Sequence, residues 1–407
     1  MPDDVVIAIC GAGPVGAAFA LFLRERGIAA ERIALIDART REAAAADDRM
    51  IAISSGSATL LARLGAWNDG AALRATAIEA IHVSHRGRFG QTVIDRRDHA
   101  VAALGYVVRH GDLTQALDDA LARQGVTVHR PQRVAGIEVE DGGLRLSTSS
   151  DDGPQDSLFV RHVVHAEGGL FDRQQRREIH RDYLQTAVTG FVTTDHEAAS
   201  LAHTAFERFT NDGPIALLPA SQAQSDGRSR NGYSLVWCGR PDDATARLAM
   251  SDDAFLASLH AAFGDRLGRF ATVGPRRSYP LGLNAVAEPA RLRSPTAAEF
   301  AIGNAAQTLH PVAGQGLNLG LRDAHDLARS LVEADRGAVD AAALIARYRA
   351  LRRVDRAATV NLTDLMPRLF ASPATPVAWG RGVTLALLDV ATPLRGLFAR
   401  QMMNGRR

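Results

Sequence analysis

The sequence of 407 residues predicts an α/β fold, with a parallel sheet flanked by helices, an inserted β-sheet domain and C-terminal helices. Three observations support this fold class. An apolar run, a glycine-rich turn, a helical pattern and a second apolar run follow one another within residues 5–37, which is the order of a βαβ unit. A second glycine-rich turn, at 303–318, again joins a strand-like run to a helical one. Between them, residues 186–280 are rich in short strand-like runs, which indicates an inserted sheet.

The composition is that of an ordinary globular protein, with 46% hydrophobic and 23% charged residues and a formal net charge of +2. This balance creates no strong positive field, so we expect no nucleic-acid partner. The cysteines, Cys10 and Cys238, lack the spacing of a zinc site or a disulfide framework, so we predict no metal site. No apolar run approaches the roughly 20 residues that span a bilayer. The first residues lack the basic region of a signal peptide, so we expect a cytoplasmic protein, soluble or peripheral on a membrane.

The first motif is a turn between two buried strands, predicted at 5–10 and 32–37. Gly11 permits a tight bend, Gly13 lets a pyrophosphate approach the backbone, and Gly16 lets the following helix pack closely on the strand. The N-terminus of that helix offers free N–H groups and a partial positive charge to phosphates. The turn is therefore predicted to bind the diphosphate of a dinucleotide.

Asp37 stands at the end of the second strand, 21 residues after Gly16. A carboxylate there can accept hydrogen bonds from both ribose hydroxyls, and it would repel a 2′-phosphate. The site therefore favours FAD or NAD over NADP. The residues predicted to bind this half of the cofactor are Gly11, Gly13, Pro14, Gly16 and Asp37.

Asp47-Asp48-Arg49 is a charged triplet at the end of a segment, 42–48, that is predicted to be a loop. It stands just ahead of an apolar stretch with a helical pattern. From the residues alone, the triplet is interpreted as a solvated loop that carries a helix cap.

The second motif runs through Gly303-Asn304, His310-Pro311 and on to residue 318. Its glycines and proline give a backbone that can approach a flat ring closely. The helix that follows points its N-terminus at the loop, where it would stabilise the negative charge of a reduced flavin at its N1–C2=O edge. Asn304 can hydrogen-bond a ribityl hydroxyl. The residues predicted to hold the flavin are Gly303, Asn304, Pro311, Gly314, Gln315, Gly316, Leu317 and Asn318.

Several blocks of sequence carry a resemblance to a known family: Gly11–Gly16, DDRMIAIS at 47–54 and GNAAQTLHPVAGQGLNLGLRDAHDLA at 303–328. Together they resemble the ubiquinone-biosynthesis hydroxylases, FAD-dependent members of the flavoprotein monooxygenases. AFERFTNDGPIALLP at 205–219 and SLVWC at 234–238 make the chain most similar to hydroxylases of the 2-octaprenyl-6-methoxyphenol type. The resemblance covers most of the chain.

The resemblance implies the fold of the flavoprotein aromatic hydroxylases, a Rossmann-like FAD-binding domain with an inserted β-sheet substrate domain. It implies that the first motif holds the ADP half of FAD and that residues 314–318 line the isoalloxazine ring. It also places Arg49 near the flavin, in place of the solvated loop that the residues alone indicate. We predict a discontinuous FAD-binding domain at 1–75, 98–180 and 281–340, a substrate domain at 76–97 and 181–280, and a C-terminal helical region at 341–407.

One segment departs from the family pattern. The family has Ala-Asp-Gly after its mid-chain strand, and this chain has Ala166-Glu167-Gly168. Glutamate keeps the charge and lengthens the side chain by one methylene. Phe171 stands where the family has serine. We expect these two changes to affect how the chain handles NAD(P)H or FAD.

The resemblance implies that NAD(P)H, a transient co-substrate, reduces the flavin and that O₂ adds at carbon C4a. The resulting hydroperoxide then attacks the ring of a polyprenylated phenol, while the protein orients the substrate and excludes water. A base that removes the phenolic proton would activate the ring. His310, beside the flavin loop, is the catalytic candidate by position, and a structural role in the turn is the alternative.

A polyprenylated phenol is insoluble, so we expect contact with the inner membrane or with other ubiquinone-synthesis proteins. The segment 377–401 has a leucine-rich face with interspersed arginines and is predicted to be an amphipathic helix. It lies either in the membrane interface or against the FAD domain or a partner. All 47 lysine-or-arginine residues are arginine, which reflects genome composition or attraction to anionic lipid.

Three other functions remain open from the sequence. The chain could hydroxylate a small soluble phenol. It could be a flavin-dependent reductase or dehydrogenase without oxygen chemistry. It could also be a non-catalytic FAD-binding member of a ubiquinone-synthesis complex, in which the changed Glu167 region has lost activity.

Overall fold

The structure is a computed structural model. It describes residues 7–67, 73–87, 91–150, 153–168, 177–195, 201–223, 229–311, 314–337 and 339–371, together with residues 396, 403 and 405. The predicted amphipathic helix at 377–401 and Phe171 therefore lie outside the described residues, apart from residue 396.

The described elements alternate helices with strands in the N-terminal half and end in two long helices. The helices are α1 (Pro14–Glu25), α2 (Arg41–Ala45), α3 (Ser55–Arg63), α4 (His110–Arg123), α5 (Pro241–Ala249), α6 (Asp252–Phe263), α7 (Gln315–Arg336) and α8 (Ala341–Ala371). The strands are β1 (Ile7–Cys10), β2 (Ile33–Ile36), β3 (Met50–Ser54), β4 (Thr76–Ile78), β5 (Ala80–His85), β6 (Gln91–Asp95), β7 (Gly105–Arg109), β8 (Val128–His129), β9 (Arg133–Glu140), β10 (Gly143–Ser150), β11 (Gly153–Val160), β12 (His162–His165), β13 (Ile179–Thr194), β14 (Thr204–Thr210), β15 (Gly213–Ala223), β16 (Ser229–Gly239), β17 (Phe270–Val273), β18 (Arg277–Ala285), β19 (Ala290–Ser294), β20 (Ala297–Ala301) and β21 (Gln307–Thr308).

A parallel sheet forms the centre of the N-terminal unit. Its strands lie in the order β19-β20-β12-β1-β2-β8, and all neighbours are parallel except β19, which is antiparallel to β20 at the edge. Every residue of β1 and β2 is buried, as continuous apolar strands covered on both faces should be. Helices α1 and α7 pack together against this sheet, and α8 packs on α7.

A second, larger sheet has the order β21-β18-β13-β16-β15-β14-β5-β6, with β17 also paired to β13. Helices α5 and α6 cover one face, where Phe206 and Trp237 of the sheet pack with Phe255 and Phe263 in an apolar cluster. The opposite face is left for the site described below. Strand β18 begins at Arg277 and continues to Ala285, so the sheet crosses the predicted domain boundary at residue 280.

Two smaller antiparallel sheets, β11-β10-β9 and β3-β7-β4, complete the described part of the fold. The sheet β3-β7-β4 lies between the two large units. Ile78 and Val107 from it share an apolar cluster with Ala205 and Ala220 of the larger sheet. This contact sets the distance between the parallel sheet and the inserted one.

The predictions for residues 42–55 were wrong in two respects. The segment 42–48 is not wholly a loop, because α2 forms at 41–45, where Thr40 caps the helix by accepting a hydrogen bond from the Ala43 N–H at 3.2 Å. The charged triplet leads into strand β3 and not into a helix. The cap of the following helix is Ser54, whose side chain accepts from the Ser57 N–H.

Among the described helices, none combines the length and the apolar character needed to cross a bilayer.

Candidate functional site

The carboxyl ends of β1, β12 and β20 meet at one edge of the parallel sheet. The Ala166 N–H donates to the Cys10 carbonyl at 2.8 Å, and the Ile302 N–H donates to the His165 carbonyl at 2.9 Å. Because ligands of open parallel sheets bind outside the carboxyl ends of the strands, this edge is where the two glycine-rich turns should meet.

The first turn has the geometry that a dinucleotide-binding turn requires. Gly11 has φ +101°, and a Cβ there would lie 2.9 Å from the Ala166 carbonyl carbon. A Cβ on Gly16 would overlap the carbonyl oxygen of Gly11. Gly13, at the start of α1, provides no side-chain cap, and a Cβ there would have Arg39 as its nearest contact, at 3.8 Å. The first N–H groups of α1 therefore face open space with room for a phosphate.

Asp37 is buried and joined to the backbone of this turn. Its Oδ2 accepts a hydrogen bond from the Ala12 N–H at 2.7 Å, and its Oδ1 accepts from the Arg39 N–H at 2.8 Å. Each carboxylate oxygen has further lone pairs for a hydroxyl donor. The carboxylate lies on the wall of the site, where it can bind the ribose hydroxyls as predicted.

The second turn is held against strand β3. Gly314 has φ +59° at the start of α7, and a Cβ there would lie 2.9 Å from the Ala52 side chain. The Asn318 amide donates to the Ala52 carbonyl at 3.1 Å and to the Gly314 carbonyl at 2.7 Å, and its Oδ1 accepts from the Ser54 N–H at 2.8 Å. Gly316 has open space where a Cβ would be, so a flat ligand can approach the backbone there.

Two glycines bring α7 and the end of β20 close to α1. A Cβ on Gly303 would lie 3.1 Å from Val15, and one on Gly320 would lie 2.7 Å from Val15. Asp323, one turn further along α7, accepts from the Gly303 N–H at 3.3 Å and from Gln307 Nε2 at 2.8 Å. These contacts join the two motifs into one edge, so Gly303 acts here through packing.

Asp323 belongs to a buried ion-pair network between α7 and α8. Arg352 donates to Asp323 at 2.8 Å and to Asp326 at 3.0 Å, and it forms an ion pair with Asp355 at 2.8 Å. Arg322 donates to Asp355 at 2.8 Å. The network ties the C-terminal helix to the second glycine-rich turn, and sequence reasoning missed it because its members stand up to 33 positions apart.

Arg49 is paired with a neighbour of the same triplet. Its guanidinium forms a two-pronged contact with Asp47, with Nε 2.9 Å from Oδ1 and Nη2 2.5 Å from Oδ2. Burial alone would raise the pKa of Asp47, but the hydrogen bonds from Arg49 and the charge of His110 outweigh it and lower the pKa to about 2. Asp48 pairs with Arg277 from β18. The triplet thus lines the site, and all three of its charges are paired.

His310 is 1% exposed and lies at the junction between the two sheets. Its Nε2 is 3.2 Å from Gln185 Oε1, and its ring meets that of Tyr183 edge to face at 5.4 Å. Burial lowers the pKa of His310 to about 3. The ring is therefore neutral at neutral pH, where it is a weak base that can accept or donate a hydrogen bond.

A cavity of about 2430 Å³ joins these features and continues to the inner face of the larger sheet. Gly16 and Gly303 lie behind its wall. The predicted residues on the wall are Gly11, Gly13, Pro14, Asp37, Arg49, Asn304, His310, Pro311, Gly314, Gln315, Gly316, Leu317 and Asn318.

Several residues on or behind the cavity wall were not predicted from the sequence. Arg39 and His110 line the end near Asp37. Arg177, though not on the wall, donates to the Asn304 carbonyl at 2.8 Å and so supports the second turn. No local motif marks these residues, because each reaches the site from a separate element.

Glu167 also lies on the wall, near the first turn. Its side chain is 57% exposed, and its Oε2 is 3.8 Å from His165 Nδ1. The extra methylene relative to aspartate therefore extends into open space and crowds no neighbour.

The described residues fit FAD on structural grounds. Gly13 and Gly316 leave space that a Cβ would narrow, at the two places where a diphosphate and a flat ring are predicted to lie. The starts of α1 and α7 both lack side-chain caps, so their N–H groups can bind acceptors. Ordinary ligand pockets have volumes of roughly 300–1,000 Å³, so this cavity has room for a dinucleotide and a second ligand.

Comparisons with known proteins agree with this geometry. A family model described as FAD binding domain matches residues 4–363. The chain is 34% identical to ubiquinone hydroxylase UbiL of Rhodospirillum rubrum, over 98% of this chain and 89% of that protein. It is 29% identical to 3-demethoxyubiquinol 3-hydroxylase of Escherichia coli, over 96% of both chains.

The fold is similar to that of solved flavoproteins. The p-nitrophenol 4-monooxygenase PnpA from Pseudomonas putida superposes with a TM-score of 0.71, covering 99% of both chains at 18% identity. The predicted fold class, an FAD-binding α/β unit with an inserted sheet, is confirmed. The finer resemblance to hydroxylases of the 2-octaprenyl-6-methoxyphenol type stays a prediction.

Proposed function

This chain belongs to the FAD binding domain family, in the branch that contains the ubiquinone hydroxylases, and we propose that it hydroxylates the ring of a polyprenylated phenol in ubiquinone biosynthesis. FAD is the resident cofactor. NAD(P)H is the reductant and O₂ the oxidant, which is the chemistry that the cofactor supplies when bound.

The substrate proposal is supported by the part of the cavity that extends beyond the flavin site, because its wall is apolar. Beyond the second turn the wall passes to the inner face of the larger sheet and to the sheet β3-β7-β4. The side chains there form an apolar lining suited to a prenyl chain: Ile78, Ile81, Val83, Ile94, Leu104 and Met403. A small soluble phenol would leave this surface in contact with water, at a cost of about 25 cal/mol for each Å².

The residues of the FAD end have separate tasks in this proposal. The N–H groups at the start of α1 bind the diphosphate, and Asp37 binds the adenosine ribose. Asn304 binds the ribityl chain, and the start of α7 stabilises negative charge on the reduced ring. Arg49 lies beside the ring, and its pairing with Asp47 limits the positive charge there.

The reaction is tested with the purified protein. We expect bound FAD, and NAD(P)H oxidation with O₂ uptake that a short-chain prenylated phenol stimulates more than the same phenol without its tail. A hydroxylated product is then identified by mass spectrometry. Equal stimulation by both phenols would favour a soluble substrate. FAD binding without NAD(P)H oxidation would favour the non-catalytic role.

A genetic test addresses the pathway. Deletion of the gene in its host should cause a prenylated phenol to accumulate, and mass spectrometry of that phenol identifies the ring position. The absence of any such phenol would contradict the ubiquinone assignment.

Membrane contact is a further part of the proposal, because the substrate is insoluble. A chain truncated after residue 370 should bind liposomes of anionic lipid less than the full chain does. Equal flotation of the two would remove the membrane role of the segment 377–401.

A further inference from the structure

The inner face of the larger sheet carries one acidic residue in an apolar setting. Residues alternate along β14: Phe206 packs on the side of α6, while Ala205, Glu207 and Phe209 line the cavity. Glu207 pairs with Ala216 of β15 on one side and with Val83 of β5 on the other. Its carboxyl group therefore faces the part of the cavity assigned to the substrate.

The residues that lie in register with Glu207 on the neighbouring strands are uncharged. Ala216 is followed by Val236 of β16 and Thr189 of β13, and Val83 is followed by Thr92 of β6. All of these line the cavity. Among the described residues, Glu207 has no salt bridge and no hydrogen-bond partner; its side chain is partly buried, and its carboxyl group is left to meet a ligand in the cavity.

The same face holds few other titratable or charged groups. Among the described residues they are Cys238 of β16, His85 of β5, Tyr183 of β13 with His310 against its ring, and Tyr279 and Arg277 of β18. Burial and the nearby Glu207 raise the pKa of the Cys238 thiol, so it is neutral. Arg277 is paired with Asp48 at the far edge. Burial raises the pKa of Glu207 to about 8, and no charged neighbour offsets this shift.

We propose that Glu207 is the base that takes the phenolic proton of the substrate. This inference rests on the proposed function and assigns a residue to a step that His310 was expected to perform. The phenolic O–H bond breaks, an O–H bond forms on the Glu207 carboxylate, and the electron pair stays on the phenolate oxygen. After hydroxylation, the ring carbon that gained the hydroxyl group releases its hydrogen as a proton to solvent, and the Glu207 carboxylic acid returns its proton to the phenolic oxygen as the ring regains its aromaticity.

The properties of the site suit this role. A general base works best when its pKa is near the working pH, and a carboxyl group with an ordinary pKa would be a much weaker base towards a phenol. An apolar surrounding also favours the state after transfer, because the neutral acid can donate a hydrogen bond to the phenolate. His310 is the weaker base, since its pKa is lower than that of Glu207.

The first test compares Glu207→Gln with wild type in hydroxylation of a prenylated phenol. Glutamine keeps the shape and removes the ionisation. We expect kcat to fall by about 10²–10⁴-fold, and the rise of activity with pH through about 8 to disappear. FAD content should stay unchanged. The matched control is Glu138→Gln, the same change at an exposed position of β9, which should leave the activity and its pH profile unaltered.

A second variant guards against a change that merely perturbs the fold. Glu207→Asp keeps an ionisable group with a shorter reach, so it should recover part of the lost kcat and retain a pH-dependent rise. The proposal is overturned by either of two results. One is a wild-type pH profile in Glu207→Gln; the other is a kcat of Glu207→Asp as low as that of Glu207→Gln, with normal FAD content.

The third test needs no turnover and so separates this inference from the proposed function. 4-Nitrophenol, whose anion absorbs visible light, is titrated into the FAD-loaded protein at several pH values on both sides of the pKa of Glu207, about 8, where the free phenol is mostly ionised. Because an ionised Glu207 repels the phenolate and a protonated Glu207 donates a hydrogen bond to it, the Kd of wild type for the dye should rise with pH through about 8, and that of Glu207→Gln should not. The same pH dependence of the Kd in both proteins overturns the role of Glu207, whether or not a prenylated phenol is hydroxylated.

Discussion

The Oδ1 of Asn318 accepts a hydrogen bond from the Ser54 N–H at 2.8 Å, although the two residues stand 264 positions apart. This bond joins the first turn of α7 to the end of β3. The same amide group donates to the carbonyls of Ala52 and Gly314. One side chain thus fixes the second glycine-rich turn relative to the strand that carries Arg49 at its start.

Removal of this amide should weaken both the fold and the cofactor site. We expect Asn318→Ala to lower the free energy of unfolding by about 1–3 kcal/mol, because buried backbone groups lose their partners. A similar loss in FAD binding raises the Kd about tenfold for each 1.4 kcal/mol. Urea denaturation and FAD titration measure the two effects. Asn231→Ala, at an exposed position, is the control and should change neither.

The contact between Gly320 and Val15 predicts a steric effect with a specific rescue. A methyl group at 320 would meet Val15 at 2.7 Å, so Gly320→Ala should destabilise the protein by about 1–3 kcal/mol. Adding Val15→Ala removes this contact and leaves the Gly303 Cα, 2.9 Å from the methyl group, so the double variant should recover only part of the loss. Strictly additive effects in thermal unfolding would show that the two residues do not compete for space.

Arg352 should be among the most sensitive positions of the C-terminal helix. Its replacement by leucine leaves Asp323, Asp355 and Asp326 without their shared cation. Breaking a buried pair from one side costs about 3–5 kcal/mol. Arg353→Leu, the exposed neighbour, is the matched control and should lie within about 0.5 kcal/mol of wild type. A loss below about 1 kcal/mol for Arg352→Leu in urea denaturation would contradict the network.

Because burial lowers the pKa of His310, the free energy of unfolding should depend on pH. Its pKa is about 3 in the folded protein, below the ordinary value of 6.5, so the unfolded chain binds the proton more readily between those values. Stability from this group is therefore complete above pH 6.5 and falls as the pH drops towards 3. His310→Gln should lose less stability on acidification than wild type does. Identical slopes in thermal unfolding against pH would show that the ring is not buried in its neutral form.

His310→Ala with retained FAD tests the catalytic role that its position suggests. Because the ring is neutral throughout the working range, we expect the pH profile of kcat to be unchanged in this variant. A lost ionisation near neutral pH would restore His310 as the base and would count against Glu207.

Local patterns were sufficient for much of the fold and for many residues of the cavity wall. A continuous apolar run followed by glycines can be read from neighbouring residues, because close approach of backbone to backbone or to a ligand excludes every side chain larger than hydrogen. Gly11 and Gly314 were recognised in this way, and Asp37 from its place at the end of the second strand. The structure places all three on one cavity wall.

The predictions from local sequence patterns were wrong where another interaction, near or distant in the chain, decided the secondary structure. Thr40 caps a helix turn inside a segment that its charges and alanines suggested was a loop. The strand β3 follows the charged triplet because it pairs with β7 over its full length, and that partner is more than 50 positions away. Pairing with a distant strand leaves no signal in the nearby residues.

The sequence by itself determined the fold class, the family and the first glycine-rich turn, for which we propose diphosphate binding, because these depend on residues close together in the chain. The tertiary structure decided which residues meet. It brought Asn318 to Ser54, Arg352 to Asp323, and Glu207 to the centre of an apolar sheet face, where burial changes the acidity of its carboxyl group. The pKa of a side chain depends on the groups packed around it. For Glu207 these groups come from β5 as well as from β15, and β5 is more than 100 positions away in the chain.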